Sequence, residues 1–335
     1  MNRIAGFTSN TIPWEILSAA GYAPRLLEDD DGPTPYADRF MEDVFDRRIR
    51  AIFDRLCAGA WSGLEMVVIP RTSEQEHKLY LYLREASRMH HSKAIPKLYF
   101  YNLLHTRTPE SYDYGLDRTR CMVSDFEVSD GALCDAIAES NRARDCVREI
   151  LRKRRDGLLE GSAAAGLIHD FYTEDRSVFA DRISAQLDGL HTSVAAGRPR
   201  ILIKGAPLDG RPLHRLVEAA GGYVVAEEDW RGSRAAGDQN VRTGVDPATA
   251  IFEKYFYDEV SPRIQPAAER DMWFQREIER SRVDGVLFYI PLQDDVVGWD
   301  YPRHAAWLAE HAVPSMVVRD VREPVAGFIG GLPRR

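Results

Sequence analysis

The sequence contains no apolar run approaching the ~20 residues that cross a bilayer. Its first ten residues, MNRIAGFTSN, lack the apolar centre of a secretory signal, and the expectation is a cytoplasmic protein without a membrane partner. Cationic excess is also missing. A net charge of −8 argues against nucleic acid, which requires a basic surface. Neither G-x-G-x-x-G nor G-x-x-x-x-G-K-[ST] occurs, so the phosphate-binding signatures of dinucleotide enzymes and P-loop NTPases are absent. The 4 cysteines (Cys57, Cys121, Cys134 and Cys146) form no C-x-x-C pair and outline no metal site. Cys57 follows Leu56 on a helical pattern and reads as a small core hydrophobe.

What is present is an ordinary globular composition, 44% hydrophobic and 29% charged over 335 residues. That length suits two domains of roughly 150 residues each. Short apolar runs read as buried strands at 3–7, 23–27, 65–70 and 97–102, and again at 200–204, 223–226, 284–289 and 315–318. Helical patterns separate them. Pro13 to Ala20 is one, with Thr11 as N-cap and Gly21 as its left-handed stop. Residues 36–57 are another, and a third follows the polar turn Arg71 to Glu74 and runs to about Arg88. In the second half Leu213, Leu216, Val217 and Ala220 share one helical face. Helical sequence also surrounds 248–257 and 272–282. Tyr301-Pro302 reads as a helix opening, with proline in the first turn.

Strand–helix alternation implies α/β architecture: two Rossmann-like (flavodoxin-like) parallel-sheet domains. The expected boundaries are 1–128, a helical connection at 129–196, and 197–335. The basic run Arg152 to Arg155 reads as a solvated helix end favoured by the helix dipole.

In such sheets ligands bind beyond the carboxyl ends of the strands. Three polar loops occupy such positions: Thr8 to Thr11, Arg71 to Glu74, and Gln293 to Asp295. Together with His77, their Ser9, Ser73, Glu74, Asp294 and Asp295 are the candidate chemistry-bearing residues. The simplest reading of Asp294 and Asp295 is a pair of solvated loop carboxylates. His77, at i+4 from Ser73, and the pair His90-His91 read as surface histidines. Gly205-Ala206-Pro207 and Gly232-Ser233-Arg234 read as turns.

Several fragments taken in order resemble one family. They are Gly6-Phe7, Ile12-Pro13 with Glu15-Ile16, Ala19-Ala20-Gly21 with Pro24, and Val68-Ile69-Pro70 with Thr72. Further on come Gly205 with Pro207, Glu218 with Gly221-Gly222, Gly232-Ser233-Arg234, Asp284-Gly285-Val286 with Phe288, and Tyr301-Pro302. Nearly the whole chain is thereby similar to the subunits of 2-hydroxyacyl-CoA dehydratases and benzoyl-CoA reductases. The resemblance implies a heterodimer of similar two-domain subunits acting on an acyl-CoA thioester. It also implies a four-iron–four-sulfur cluster held by three loop cysteines, with electrons supplied by an ATP-dependent activator. On it, Gly232, Ser233 and Arg234 are expected at a CoA phosphate or at the partner.

The chain departs from that pattern where the cysteines belong. Ser9, Ser73 and Asp294 occupy those positions, and Trp230 replaces a further cysteine before Gly232. Iron–sulfur clusters need soft thiolates, so no cofactor is expected on this chain and the cluster is expected only in a cysteine-bearing partner. Two other readings remain open. One is a stand-alone enzyme whose Ser/Asp pocket does acid–base work or holds a hard cation such as Mg²⁺ or Mn²⁺. The other is a non-catalytic binding or regulatory relative that keeps only the fold.

Overall fold

The computed structural model describes residues 3–28, 32–89, 95–206, 211–258, 263–294 and 296–334. Asp295, Pro207 and the pair His90-His91 lie outside the described residues. The chain divides into two compact units. One comprises Met1–Asn141, Tyr172–Asp175 and Gln239–Arg263, and the other Arg142–Phe171, Arg176–Asp238 and Ile264–Arg335.

In chain order the elements begin β1 (Arg3–Phe7), α1 (Trp14–Ala19), β2 (Tyr22–Leu26), α2 (Pro35–Phe40), α3 (Arg47–Ala58), β3 (Leu64–Pro70), α4 (Glu74–Arg88), β4 (Lys97–Tyr101) and α5 (Pro109–Asp125). Helices α6 (Asp130–Arg155), α7 (Gly161–Thr173) and α8 (Arg176–Leu187) follow. The remainder is β5 (Arg200–Gly205), α9 (Pro212–Ala219), β6 (Tyr223–Glu228), α10 (Pro247–Glu253) running into a π-helix (Lys254–Asp258), α11 (Ala268–Ser281), β7 (Gly285–Tyr289), α12 (Val297–Glu310), β8 (Ser315–Val318) and α13 (Ala326–Gly330).

Each unit holds one four-stranded parallel sheet, ordered β2-β1-β3-β4 in the first and β6-β5-β7-β8 in the second. Both are the expected Rossmann-like layers. In each, the chain first steps to one side of its opening strand and then crosses to the other. The strand order therefore reverses between β1 and β3, and between β5 and β7, which is where open α/β sheets bind ligands.

Two-sided burial explains why the strands read as continuous apolar runs. Along β5, Ile201 and Ile203 pack with Leu213 and Val217 of α9 and Ile329 of α13. Leu202, between them, points to the opposite face, among Phe274 and Ile278 of α11 and Leu308 of α12. In the first unit Ile52 and Phe53 of α3 and Leu79 and Leu83 of α4 close over Val67 and Ile69 of β3. Burying each such side chain contributes about 1.5–3 kcal/mol.

Three local expectations are corrected. Residues 36–57 are two helices, because Met41 is extended and the Asp46 carboxylate accepts the Ile49 amide to start α3. The helix expected to open at Tyr301-Pro302 begins at Val297, and Pro302 lies inside it; the Asp294 carboxylate accepts the Val297 and Gly298 amides at 3.2 and 2.6 Å and so starts the helix earlier. Thr11 does not cap α1, whose N-cap is Pro13; its hydroxyl accepts from Thr72 instead. The left-handed stop at Gly21 is as expected, with φ of 80°.

Gly115 of α5 shows packing overriding helix propensity. A Cβ there would lie 2.5 Å from Cε2 of Phe252 on α10, so no side chain fits between these helices. Gly115→Ala is expected to lose about 1–3 kcal/mol in urea denaturation despite alanine's better helix propensity. Gly131→Ala, where a Cβ at the exposed start of α6 meets nothing within 4 Å, is expected to be neutral or to gain up to about 1 kcal/mol. Equal effects of the two substitutions would contradict the packing account.

Candidate functional site

The first unit brings two of the predicted loops together at its strand-order reversal. Beyond β1, Thr8, Ser9, Asn10 and Thr11 are each no more than 3% exposed, which is unusual for a run of loop polar residues. Their burial is compensated by side chains from the loop beyond β3. Thr72 donates to the Thr11 hydroxyl at 3.0 Å, so the Ser9 hydroxyl is left to donate to Thr72, at 2.6 Å. The Thr8 hydroxyl donates to Glu76 at 2.7 Å. On the main-chain side, Arg48 of α3 donates to the carbonyl oxygens of Thr8 and Leu27.

Ser73 is the N-cap of α4. Its hydroxyl accepts the Glu76 amide at 3.1 Å while the Glu76 carboxylate accepts the Ser73 amide, also at 3.1 Å. This is a reciprocal capping box. Ser9 and Ser73 are thus linked through Thr72, Thr8 and Glu76. Burial pushes the Glu76 carboxyl above its ordinary value, against the hydrogen bonds from the Thr8 hydroxyl and the Ser73 amide that favour the ionised form. Glu76 is 3% exposed. Its signal in the sequence was the S-x-x-E spacing from Ser73, which marks a helix start and says nothing of depth.

Glu74 belongs to a different group. Burial alone would raise its pKa, but Arg71, at 2.7 Å, and Arg263 bring it down to about 2. His77 sits 3.7 Å from Glu74 and stacks on Phe100 with ring centroids 5.2 Å apart. Neither His105, beyond β4, nor Arg263 could be attached to this loop by sequence spacing.

In the second unit, Asp294 has the N-terminal amides of α12 as its partners, as described above. Gly232-Ser233-Arg234 form a tight internal corner after β6. A Cβ on Gly232 would lie 2.4 Å from that of Glu227. The Ser233 hydroxyl accepts from Arg154 and from the Glu227 amide, both at 3.1 Å. Arg234 pairs with Glu228 and lies over the Trp273 ring at 4.5 Å. Trp230 is 8% exposed.

Beside this corner is a buried charge network that the sequence reading missed, because an apolar run containing one lysine does not reveal which way the lysine points. Lys204, on β5, pairs with Glu228. Burial, then the adjacent Arg234, hold its pKa well below that of an ordinary lysine. Arg270 binds Asp300 bidentately at 2.7 and 3.0 Å and outweighs burial to hold that carboxyl at about 2. His304, which bonds Asp271 at 2.8 Å, is depressed to about 4, by burial first and then by Lys204.

The donors where the resemblance expects cysteine do not fit an iron–sulfur cluster. Ser9, Ser73 and Asp294 offer oxygen rather than thiolate, and each oxygen described has hydrogen-bond partners. The cysteines sit on helices: Cys57 on α3, Cys121 on α5, and Cys134 and Cys146 on α6. Cys57 is buried, and burial pushes its thiol up to about 12, unlike a ligating thiolate.

The raised carboxyl of Glu76 has a defined signature. Below its ordinary value of 4.5 the folded and unfolded chains both carry the proton. As pH rises the unfolded chain ionises first, so Glu76 subtracts stability until the folded-state pKa is passed. Glu76→Gln keeps an acceptor for the Ser73 amide and removes the titration. The stability of this variant relative to wild type is expected to rise as pH increases above the ordinary carboxyl value of 4.5 in urea titrations; a difference independent of pH would contradict the raised pKa.

A search of curated proteins finds no match to this chain. The family described as 2-hydroxyglutaryl-CoA dehydratase, D-component, matches residues 10–320. That span takes in both sheets from α1 onward, together with Ser73, Asp294 and the Gly232 corner. The two parallel-sheet units and this match together make the chain a member of the 2-hydroxyglutaryl-CoA dehydratase D-component family.

Proposed function

We propose that this chain is a subunit of a 2-hydroxyacyl-CoA dehydratase-type complex that carries no cluster at Ser9, Ser73 and Asp294. On this reading it shapes an acyl-CoA cleft, and a cysteine-bearing sister chain in the same heterodimer holds the iron–sulfur centre. An ATP-dependent activator would serve that sister chain. The observation that carries the reading is the chemistry at the strand-order reversal of the first unit. Where the family pattern calls for thiolates, a buried hydroxyl chain from Thr11 through Thr72 to Ser9 lies against a buried carboxyl. Those hydroxyls hold two loops in place. The serines therefore serve as structural replacements that preserve the loops without the metal. A benzoyl-CoA reductase-like role differs only in the acyl group and in the fate of the electrons.

One observation favours a second reading, a stand-alone enzyme. Glu76 is a carboxyl with raised pKa next to the Ser9 hydroxyl, at the place where such sheets bind ligands. A proton held there suits acid–base work.

The two readings differ in what the purified chain does alone. Given a 2-hydroxyacyl-CoA thioester under anaerobic conditions, it is expected to show no turnover. Activity is expected only after addition of a cysteine-bearing sister chain and an ATP-driven reductant. Turnover by the chain alone, lost in Glu76→Gln, would establish the second reading in place of the first.

A further inference from the structure

The carboxyl edge of the first sheet carries a cationic cluster on its β3–β4 side. Arg71 follows β3, His105 and Arg107 follow β4, and Arg263 lies beyond the π-helix. The His105 Nε2–H donates to the Arg71 carbonyl at 2.8 Å, which joins the two loops. The charges acting most strongly on the His105 ring are those of Arg263, Arg107 and Arg71. Burial, then these guanidinium groups, hold its pKa down to about 4, against the hydrogen bond to Arg71 that favours the proton. Three guanidinium groups thus gather around this loop pair against the one carboxylate of Glu74, in a chain whose net charge is −8. Arg71 and Arg263 are held by Glu74 yet remain 29% and 28% exposed. Two helices start here. α4 begins at Glu74 and α5 at Pro109, with the Thr108 hydroxyl accepting the Ser111 amide at 3.3 Å. Helix N-termini add to the attraction for an anion.

An aromatic surface adjoins the cluster. The Arg107 guanidinium lies over Phe256 at 4.9 Å and Tyr257 at 5.6 Å, and its Nη2 reaches the Tyr257 carbonyl at 3.4 Å. Tyr257 is 55% exposed and belongs to the π-helix, a distortion often retained at functional positions. Guanidinium groups bind phosphate oxygens in a fork geometry, and an exposed ring can stack on a nucleobase.

We propose that Arg71, Arg107 and Arg263 form a subsite for an organic phosphate, with the Tyr257 ring as the platform for its base. The subsite rests on the proposed function for its natural occupant, the phosphorylated adenosine end of an acyl-CoA. The chemistry itself requires only a phosphoanion joined to an aromatic base.

Titration calorimetry of the full chain alone, with adenosine 3′,5′-bisphosphate and with pyrophosphate, tests the proposal. Both probes are expected to bind, the adenosine compound more tightly. Arg107→Gln and Arg263→Gln are each expected to weaken both by about tenfold or more, since a charge-assisted hydrogen bond is lost. Arg107→Lys should retain part of the affinity, and Tyr257→Ala should weaken only the adenosine probe. Thermal melts of every variant separate lost contacts from lost fold. Binding that falls steeply with added salt in the wild type supports the subsite without any substitution. No saturation by either probe overturns the proposal, as does unchanged affinity in folded Arg107→Gln and Arg263→Gln. Equal binding of the two probes overturns the base platform. A chain inert to both probes but active with its sister chain would sink the subsite alone. A chain that binds them and turns over substrate unaided would sink the subunit reading alone.

Discussion

Burying Glu76 is the constraint on which the first unit's candidate site depends. A carboxyl taken out of water must be neutralised or given donors. Here the donors are the Thr8 hydroxyl and the Ser73 amide, so the side chain reaches back to both loops that flank the strand-order reversal. Thr72 completes the tie by bonding both Ser9 and Thr11. The result is two loops fixed to each other through their side chains. A thiolate-bound metal could fix loops in a comparable way. Here hydroxyls and one carboxyl do so, and on the proposed reading serine at these positions keeps the loops in place without a metal.

The second unit meets the same problem with close pairs of basic and acidic side chains. Lys204, Glu228 and Arg234 share one buried group, and Arg270 with Asp300 another. Buried ion pairs contribute little net stability, but removing one partner leaves a charge without compensation. Such networks hold geometry. This one braces the corner at Gly232-Ser233-Arg234 and the start of α12 where Asp300 lies. The Gly232 corner, read from sequence as a turn and by resemblance as a ligand contact, is packed by its own neighbours: Arg154 on Ser233 and Glu228 on Arg234.

The parallel strands were the most legible part of the sequence, because strands covered on both faces leave uninterrupted apolar runs such as Val67 to Ile69 and Val286 to Phe288. Helix boundaries were less so. The apolar spacing continues through residues 41–46, yet Asp46 caps a new helix there; the local hydrogen bond outweighs the periodicity. Pro302 looked like a helix start, but the carboxylate of Asp294, several residues earlier, had already supplied one. At the candidate site the serines could be found from spacing and from family resemblance. Their true companions could not. Glu76 was visible only as a capping residue, and His105, Arg107 and Arg263 come together through the fold. Lys204 was hidden in an apolar strand, since sequence does not record that β5 delivers its amine to a buried carboxylate.

Replacement of the cluster ligands by oxygen-bearing residues is the centre of the proposed reading. Its most direct test is iron and acid-labile sulfide analysis of this chain after anaerobic purification and separation from any protein that accompanies it. The account predicts neither iron nor sulfide above background on this chain, with both recovered in a cysteine-bearing companion. Stoichiometric iron and sulfide on the isolated chain would contradict it and would mean that residues other than Ser9, Ser73 and Asp294 ligate a cluster.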